Sequence, residues 1–565
     1  MQLSEQEIIR REKLSKLNEL GINAFPAEEY TITDSTKSIK EQFSEGKKVK
    51  IAGRLMSRRI QGKASFAELQ DSDGKIQVYF NRDEICTGED KSLYNDVYKH
   101  LLDIGDIIGI EGELFNTQVG EMTVKVTNFT LLTKTLRPLP QAKTDENGKV
   151  YDAFNDAELR YRQRYVDLIV NPQVKEIFVK RTKLFNAMRN FFNEAGYFEV
   201  ETPILQSIPG GAAARPFMTH HNALDIPLYL RIANELYLKR LIVGGFDGVY
   251  EFSKNFRNEG MDRTHNPEFT AMEIYVAYKD YNWMMDFTEK LLEFCANEVN
   301  GQSESTFCEH TISWKAPYPR VSMTDAIIKF TGFDITGKSE QELFEFAKSA
   351  GIEVNETMGK GKLIDEIFGE KCEGNFIQPT FITDYPIEMS PLTKKHRSKE
   401  GLTERFELMV CGKEIANAYS ELNDPIDQRE RFEEQLKLAE KGDDEATGFI
   451  DEDFLRALEY GMPPTSGLGI GMDRLIMFLT NNPSIQEVLF FPQMRPEKVV
   501  QSIVLEEDEK LILEILKSGE AMMLSEVKEQ SKLSGKKWDK SSKILTKGNL
   551  VKVEKIDDVV WMKLV

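Results

Sequence analysis

Apolar and polar residues alternate along five short segments between about residues 46 and 135. The alternating segments are Val49–Met56, Ala64–Leu69, Ile76–Phe80, Ile107–Phe115 and Met122–Leu132. Alternation with a period of two predicts half-buried β-strands, and the Asp73-Gly74 pair predicts a tight hairpin between the second and third strands. The spacing of apolar residues between Lys91 and Leu101 instead predicts a helix.

Five strands with a helix between the third and fourth are the plan of an OB-fold, a barrel that often binds single-stranded nucleic acid. From Lys47 to Ala67 the chain has no acidic residue, and it holds seven lysines and arginines there. A basic face is one signature of RNA binding, although a run of charge is as often only a solvated surface. The charge pattern by itself leaves both interpretations open.

The remaining pattern divides the chain into further segments. Residues 1–45 contain one predicted helix, Gln6–Leu20, and a loop. Pro138 and Pro140 open a linker that is rich in glycine, aspartate and lysine. A large region of mixed strands and helices follows, from about 150 to 500.

Two smaller helical segments stand out after residue 330. Residues 332–375 are predicted to form a helical insertion, with helices at Leu343–Ala350 and Leu363–Phe368. Residues 505–565 form a separate tail with three predicted helices and then two strands around Asp557-Asp558. The tail helices are predicted at Lys510–Leu516, Leu524–Gln530 and Lys537–Leu545.

Composition narrows the class of protein. The chain has 565 residues and a formal net charge of −20, which favours a cytosolic multidomain protein over one that coats nucleic acid. The five cysteines are scattered without a C-x-x-C pair, which argues against a ribbon-type zinc site. The charged N-terminus has no apolar signal-peptide core, and no run approaches the length of a membrane span.

One stretch concentrates charge between two apolar segments. Phe256-Arg257-Asn258-Glu259 is followed by His265-Asn266-Pro267-Glu268-Phe269 and then by Glu273. The apolar flanks predict two antiparallel strands joined by a charged loop. Because buried unpaired charge is unfavourable, a hairpin that served only the core would gain nothing from these residues. A site for a polyanion beside a cation would need this mixture.

This stretch resembles motif 2 of the class II aminoacyl-tRNA synthetases. Asn186–Val200, which runs into Gly196–Pro203, resembles motif 1, a helix and strand that build the dimer interface in that family. Gly467–Leu475 resembles motif 3, a strand that enters a helix. Its G-x-G-x-G spacing does not fit the G-x-G-x-x-G fingerprint of dinucleotide binding.

The resemblance implies an α+β multidomain protein. Its parts would be an N-terminal helical segment (1–45), an OB-fold anticodon-binding domain (46–140), and a catalytic domain (150–500) built on an antiparallel sheet flanked by helices. The small tail (505–565) resembles a winged-helix domain, which many members of the family lack. A docking or stabilising role for the tail is at least as compatible with the sequence as RNA binding.

Three longer strings resemble the lysyl-tRNA synthetases in particular. These strings are Pro209–Phe217, Leu228–Leu236 and Glu414–Asp424. The resemblance implies a lysine–tRNA ligase, a homodimeric cytoplasmic enzyme that acts on L-lysine, ATP and tRNA(Lys) and uses Mg²⁺, without a membrane partner.

The same resemblance assigns a lysine-binding pocket. It implies that Glu421 and Tyr275 hold the side-chain ammonium, Glu235 and Gly211 the α-amino group, and Asn417 and Arg257 the carboxylate. Glu273 and Tyr419 would add an acceptor and an aromatic wall. An ammonium gives up its strong hydration only for opposite charge and acceptors. An aspartate pocket would need a spare cation, and the sequence shows no added cation in this pocket.

The resemblance also assigns the ATP site and its metal. Arg257 and Arg474 would be the catalytic residues, with Arg257 on the α-phosphate and Arg474 on adenine or the γ-phosphate. The other predicted ATP contacts are Glu259 and Phe269 with adenine and His265 with the γ-phosphate. Glu407 and Glu414, on two predicted strands across the Cys411-Gly412-Lys413 turn, would be the magnesium ligands.

In the barrel, the resemblance assigns four residues to the anticodon. Phe66 would stack on a base and Gln77 would bind a base edge, as single-stranded RNA readout requires. Arg59 and Glu121 match family positions that read the uridines. Because Phe66 lies in an alternating strand, an ordinary place in the barrel core is the alternative.

Three other functions compete with this interpretation. An aspartate or asparagine synthetase shares the layout, but Glu235 and Glu421 disfavour it. An enzyme that lysylates a protein would typically lack the barrel. A non-enzymatic RNA-binding relative would be expected to lose Arg257, Arg474 or the two metal carboxylates, and all four are present.

Overall fold

A computed structural model describes residues 3–140, 143–144, 150–151, 154–212, 214–356, 358–440, 449–496, 505–518, 521–547, 550–556 and 559–564. The chain divides into two compact units, Met1–Pro492 and Gln493–Val565. Some predicted features lie outside the described residues: Ala213 in the first lysyl-type string, most of the linker after Pro140, the boundary near residue 500, and the Asp557-Asp558 turn. No helix in the described ranges is long and apolar enough to cross a membrane.

The five alternating segments form a closed barrel, which confirms the predicted OB-fold. Its strands are Lys48–Gln61, Ala64–Gln70, Lys75–Asn81, Ile107–Asn116 and Met122–Thr133. Alternate side chains fill one core, which the helix Leu93–Leu101 closes. The first strand runs past the predicted end at Met56, because its exposed polar half pairs with the second strand beyond an irregularity at Ser57. A strand exposed on both faces lacks the period-two signal.

An eight-stranded sheet forms the body of the first unit. Its strands, in spatial order, are Arg320–Ser322, Thr380–Thr383, Arg405–Val410, Lys413–Ser420, Thr465–Gly471, Glu268–Ala277, Gly248–Phe256 and Phe198–Glu199. The pairing at each end of the sheet is parallel, and the pairings between them are antiparallel. This confirms the predicted antiparallel catalytic sheet.

Two long helices, Gln173–Glu194 and Tyr281–Asn300, pack their apolar faces on this sheet. The motif 1 helix begins well before the predicted Asn186. It ends at Glu194 because Gly196 takes a positive φ of 81°, which a glycine tolerates after a helix. Further helices of this unit are Glu5–Glu19, Thr36–Glu41, Arg82–Ile85, Ala157–Arg162, Arg164–Val170, Glu235–Val243, Met323–Thr331, Pro425–Glu440, Glu452–Glu459, Met472–Thr480 and Ile485–Val488.

The region of the predicted insertion contains the helices Glu340–Ser349 and Lys360–Lys371. The apolar side chains of these helices pack against the strands Thr380–Thr383 and Arg405–Val410 of the sheet. Gly359 and Lys360, where the second helix begins, line the cavity on the sheet. Two short strand pairs and one three-stranded sheet are further parts of this unit. They are Lys143–Thr144 with Val150–Tyr151, Glu304–Phe307 with His310–Ser313, and Leu205–Gln206 and Met218–His221 on either side of Ile226–Leu230.

The second unit has a core of its own. Its helices are Glu507–Ile515, Leu524–Ser531 and Gly535–Lys547, and its sheet contains Met522–Met523, Val551–Ile556 and Val559–Leu564. Ile512, Val527 and Trp538 are buried between them. Three helices and an antiparallel sheet agree with the predicted elements, with one short strand more; the winged-helix assignment stays a prediction.

Candidate active site

A cavity of about 970 Å³ opens on the sheet where the segments that resemble motifs 2 and 3 meet. The structure places there all the predicted lysine, ATP and metal residues except one. The predicted residues that line the cavity are Gly211, Glu235, Arg257, Glu259, His265, Phe269, Glu273, Tyr275, Glu407, Glu414, Asn417, Tyr419 and Arg474. Glu421 lies deeper, behind this wall, and only 2% of its surface is exposed. The individual roles of these residues stay predictions.

Strand register explains why residues so distant in sequence meet. Gly467 pairs with both Tyr275 and Tyr419, and Gly469 pairs with both Glu273 and Asn417. A Cβ at Gly467 would lie 2.2 Å from Glu421 Oε1 and 2.5 Å from the Tyr275 ring. The motif 3 glycine therefore makes space for the two residues predicted to hold the substrate's ammonium.

The deep end of the pocket holds a cation that the sequence analysis missed. The Lys239 side chain is fully buried, and its Nζ donates to Glu235 Oε1 at 2.5 Å and contacts Glu421 Oε2. The expectation of a pocket without an added cation is therefore wrong. Lys239 lies four residues after Glu235 on the helix Glu235–Val243, and that spacing was the available signal. Because carboxylates engage Lys239, it is not free to hold a substrate carboxylate.

The pocket carboxylates have perturbed acidities. Burial, together with the nearby Glu235 charge, raises the pKa of Glu273 to about 8, and the Tyr275 hydroxyl donates to Glu273 Oε2 at 3.0 Å. Burial raises the pKa of Glu421, an effect that Lys239 opposes and Glu235 reinforces. The Tyr419 hydroxyl donates to Glu235 Oε1 at 2.7 Å. Such perturbed groups in a cavity are typical of a functional site.

Arginines crowd the other end of the cavity. The Arg257 guanidinium lies over the Phe269 ring, 5.1 Å from its centroid, and its buried Nε finds no acceptor among the described residues. Arg474 Nη1 donates to the Glu414 carbonyl at 2.8 Å, and Arg474 Nη2 lies 3.1 Å from His265 Nε2. A cation with an unused donor fits a phosphate or carboxylate ligand.

Asp262 fixes the His265 ring. The ring Nδ1 lies 2.8 Å from Asp262 Oδ2. Burial raises the pKa of Asp262, but hydrogen bonds from His265 and Thr264 outweigh this effect and lower it. The ring's other nitrogen therefore faces Arg474 and the cavity.

The two predicted metal ligands, Glu407 and Glu414, lie on neighbouring strands at the cavity wall. Burial and the nearby Glu414 charge raise the pKa of Glu407 to about 7. Arg405 Nη2 donates to Glu407 Oε1 at 2.5 Å, and Asn417 Nδ2 does so at 3.2 Å. Among the described residues no cluster of three or more His, Cys, Asp or Glu residues has metal-site geometry. Two repelling carboxylates fit a hard cation that keeps several waters.

The predicted anticodon residues lie on the barrel. Phe66 is half-buried on the outer side of its strand, between the buried Ser65 and Ala67, so it does not belong to the barrel core. Its ring centroid lies 5.0 Å from that of Tyr79, which in turn lies 6.1 Å from Phe115. Period two along each strand could have identified Tyr79 and Phe115 as partners of Phe66.

The polar anticodon residues flank this aromatic surface. Arg59 is exposed and pairs with Phe66 across the first two strands. Gln77 accepts a hydrogen bond from the Thr123 hydroxyl at 2.8 Å, and this leaves its amide nitrogen for other contacts. Glu121 is exposed directly before the last barrel strand, Met122–Thr133. Aromatic rings beside polar groups are the usual platform for unpaired bases.

Comparison with known proteins agrees with both parts of this description. Residues 156–495 match the family described as tRNA synthetases class II (D, K and N), and residues 49–132 match the OB-fold nucleic acid binding domain. A lysine–tRNA ligase of Christiangramia forsetii is 76% identical over 563 residues, which cover 100% of this chain and 98% of that protein.

Two further relatives carry the same name. A Porphyromonas gingivalis lysine–tRNA ligase is 68% identical over 504 residues, which cover 88% of this chain and 87% of that protein. A lysine–tRNA ligase of Azobacteroides pseudotrichonymphae is 64% identical over 500 residues. These residues cover 88% of this chain and 100% of the relative. The whole relative therefore aligns with a part of this chain.

Proposed function

The chain belongs to the class II tRNA synthetases of the D, K and N group, and we propose that it acts as a lysine–tRNA ligase. In the first step, the carboxylate of L-lysine attacks the α-phosphate of ATP and gives lysyl-adenylate and diphosphate. In the second step, the terminal ribose of tRNA(Lys) attacks the activated carbonyl. Neither step needs a covalent enzyme nucleophile, so catalysis consists of positioning and charge stabilisation.

One observation carries the choice of lysine over aspartate or asparagine. The Glu421 carboxylate is buried at the deep end of the cavity. Lys239 engages its Oε2, whereas its Oε1 accepts no hydrogen bond from the described residues. Its Oε1 is directed to the space beside Gly467 and the Tyr275 ring. A buried acceptor without a donor is unfavourable, and a substrate ammonium supplies the missing donor. An aspartate side chain would instead bring a second negative charge.

The two ends of the amino acid follow from this placement. Glu421 and Tyr275 take the side-chain ammonium, whereas Glu235 and Gly211 take the α-amino group nearer the mouth of the pocket. Glu273 and Tyr419 line the passage between the two ends. Arg257 and Asn417 then hold the substrate carboxylate beside the phosphates.

ATP occupies the arginine-rich end of the cavity. The unused donor of Arg257 suits the α-phosphate, where negative charge develops during the first step. Phe269 and Arg474 enclose adenine, Glu259 contacts its edge, and His265, held by Asp262, faces the γ-phosphate. Glu407 and Glu414 would hold Mg²⁺, which neutralises charge on the phosphate oxygens when bound.

The barrel supplies tRNA selection at a distance from the chemistry. Phe66 stacks on an anticodon base, and Gln77 offers its amide to a base edge. Arg59 and Glu121 flank these two residues and read the uridines. The neighbouring ring of Tyr79 supports Phe66 from the side.

The motif 1 region suits a second copy of the chain. Phe198, on the end strand of the sheet, is 59% exposed, and its ring lies edge-on to that of Phe246. Val179 and Leu205 are exposed apolar residues of the same region. Exposed apolar residues are buried when such a region meets a partner, and we propose that the active form is a homodimer. Since charged tRNA is consumed by ribosomes, the enzyme works in the cytoplasm.

ATP–diphosphate exchange, measured separately with each of the twenty amino acids, tests this function. Lysine alone should support exchange with ATP and Mg²⁺ in the absence of tRNA. Exchange with aspartate or asparagine instead would refute the assignment of the substrate.

A further inference from the structure

Lys239 is an internal ammonium at the deep end of the lysine pocket. Its side chain is fully buried, and its Nζ lies between Glu235 Oε1 and Glu421 Oε2. The rings of Tyr419 and Phe454 lie 5.5 Å and 5.9 Å from this nitrogen. Carboxylates and aromatic faces thus surround the Lys239 ammonium as they would surround the cationic group of a bound ligand.

The contacts of Glu421 are asymmetric. Lys239 approaches Oε2, whereas Oε1 is directed to the open space beside Gly467. A residue locked on a helix by an i,i+4 ion pair, without solvent access, has no route out of the pocket. We therefore expect Lys239 to stay beside Glu421 when substrate binds.

We propose that Lys239 is a positioning residue for the substrate: it holds Oε2 of Glu421 and leaves Oε1 to accept a hydrogen bond from the substrate's side-chain ammonium. The proposal rests on the proposed function, because it assigns a role within the same lysine pocket. Lys239 would act through Glu421 and would not touch the reacting atoms.

Charge gives this arrangement a second consequence. The ionisable groups that face Glu421 come from one helix and two strands, and they are Glu235, Lys239, Glu273, Tyr275 and Tyr419. Lys239 is the one cation in this described set. Burial lowers its pKa, but Glu235 and Glu421 outweigh burial and raise it, so it stays charged.

Without Lys239, Glu421 would lose the opposing charge that Lys239 supplies. Burial and the charge of Glu235 would then raise the pKa of Glu421 further. A proton would take the place that the substrate's ammonium needs. Lysine binding would therefore weaken at neutral pH and recover as the pH rises and Glu421 ionises.

The test compares Lys239→Met and Lys239→Arg with the wild type in lysine-dependent ATP–diphosphate exchange. The KM for lysine is measured between about pH 6 and 9, below the ordinary pKa of the substrate's ammonium. Lys239→Met should raise this KM by roughly 30-fold or more at neutral pH, as for loss of one partner of a buried charge pair. Its KM should fall towards the wild-type value as pH rises, whereas the KM for ATP should not change.

A charge-conserving variant and a folding measurement separate positioning from folding. Lys239→Arg keeps the charge and should retain a near wild-type pH profile, and thermal unfolding checks that each variant is folded. If Lys239→Met does not fold, the same measurements are made on Lys239→Gln. A folded neutral variant whose KM for lysine equals the wild-type value at every pH overturns the proposal. A lower KM for lysine also overturns it, because Lys239 would then compete with the substrate's ammonium for Glu421.

A failure of the proposed role of Lys239 can be distinguished from a failure of the proposed function. A wild-type protein that does not activate lysine refutes the function itself. Lysine activation by the wild type, together with an unchanged pH profile in the folded neutral variant, refutes only the role of Lys239.

Discussion

Glu421→Gln removes one negative charge from the deep end of the pocket and leaves the shape of the side chain unchanged. The wild-type carboxylate is 2% exposed, and its Oε1 is directed to the space beside Gly467. In the variant, the amide oxygen can still face Lys239, which turns the amide NH₂ toward the substrate's ammonium. Two donors then face each other where a donor and a charged acceptor met before.

The magnitude follows from the burial of this carboxylate. Loss of one partner from a buried, hydrogen-bonded charge pair costs about 2–5 kcal/mol. At about 1.4 kcal/mol per tenfold change, the kcat/KM for lysine should fall roughly 30- to 4,000-fold. The KM for ATP should stay near the wild-type value, because Glu421 lies at the opposite end of the cavity from Arg257 and Phe269.

Steady-state ATP–diphosphate exchange, with lysine and ATP varied in turn, measures both quantities. Glu289→Gln is a matched control: Glu289 is also buried, it accepts the Tyr318 backbone N–H at 3.0 Å, and it does not line the cavity. The control should retain wild-type lysine kinetics. Unchanged lysine kinetics in a folded Glu421→Gln variant, or an equal loss in Glu289→Gln, would refute the assigned role.

Three further predictions concern other parts of the chain. Phe66→Ala combined with Gln77→Ala should leave lysine-dependent exchange intact and reduce tRNA charging; loss of both would point to barrel folding. Deletion of the residues after about 503 should also leave exchange intact, because the cavity lies wholly before them. The folded pKa of Glu273, about 8, exceeds the ordinary 4.5, so the folded state binds the extra proton and loses stability as pH rises between these values. Glu273→Gln removes that loss, and in calorimetry its Tm advantage over the wild type should grow up to about pH 8 and then level off; a constant difference would contradict the argument.

A lysine cluster in the tail favours RNA binding, but ion pairs within the tail argue against it. The predicted lysine cluster is Lys532, Lys536, Lys537, Lys540, Lys543 and Lys547, and the side chain of Lys547 lies outside the described residues. Lys537 and Lys540 form ion pairs with Asp508 and Glu506 of the same unit. Because Glu506 and Asp508 already engage part of this lysine cluster, filter binding of tRNA over a salt series should show similar slopes with and without the tail.

The position of the cavity could be predicted from the sequence because charged residues of the site stand out among the apolar residues next to them in the chain. Charges such as Arg257 and Glu259 stand between apolar strands, where a structural hairpin has no use for them. Antiparallel register then brings the flanking strands together, and the short turn between Glu407 and Glu414 fixes their proximity. Local pattern and strand pairing thus indicated a charged site here, whereas the roles of these residues came from the resemblance to the synthetase family.

The burial of individual charged side chains could not be predicted from the sequence. A lysine four residues after a glutamate usually marks an exposed helical ion pair, and only the packing of Tyr419 and Phe454 makes Lys239 an interior charge. The same holds for Arg405, which engages Glu407. Such charges are set by tertiary contacts, so the pattern along the chain did not distinguish them from surface residues.

Competitive charging of tRNA tests the central claim most directly. The full-length protein is incubated with unfractionated tRNA, ATP, Mg²⁺ and an equimolar mixture of the twenty amino acids, and mass spectrometry identifies the amino acid esterified to each tRNA. The pocket around Glu235 and Glu421 predicts lysine on tRNA(Lys) and no other product. Aspartate or asparagine on its own tRNA, or no charged tRNA at all, would contradict the account.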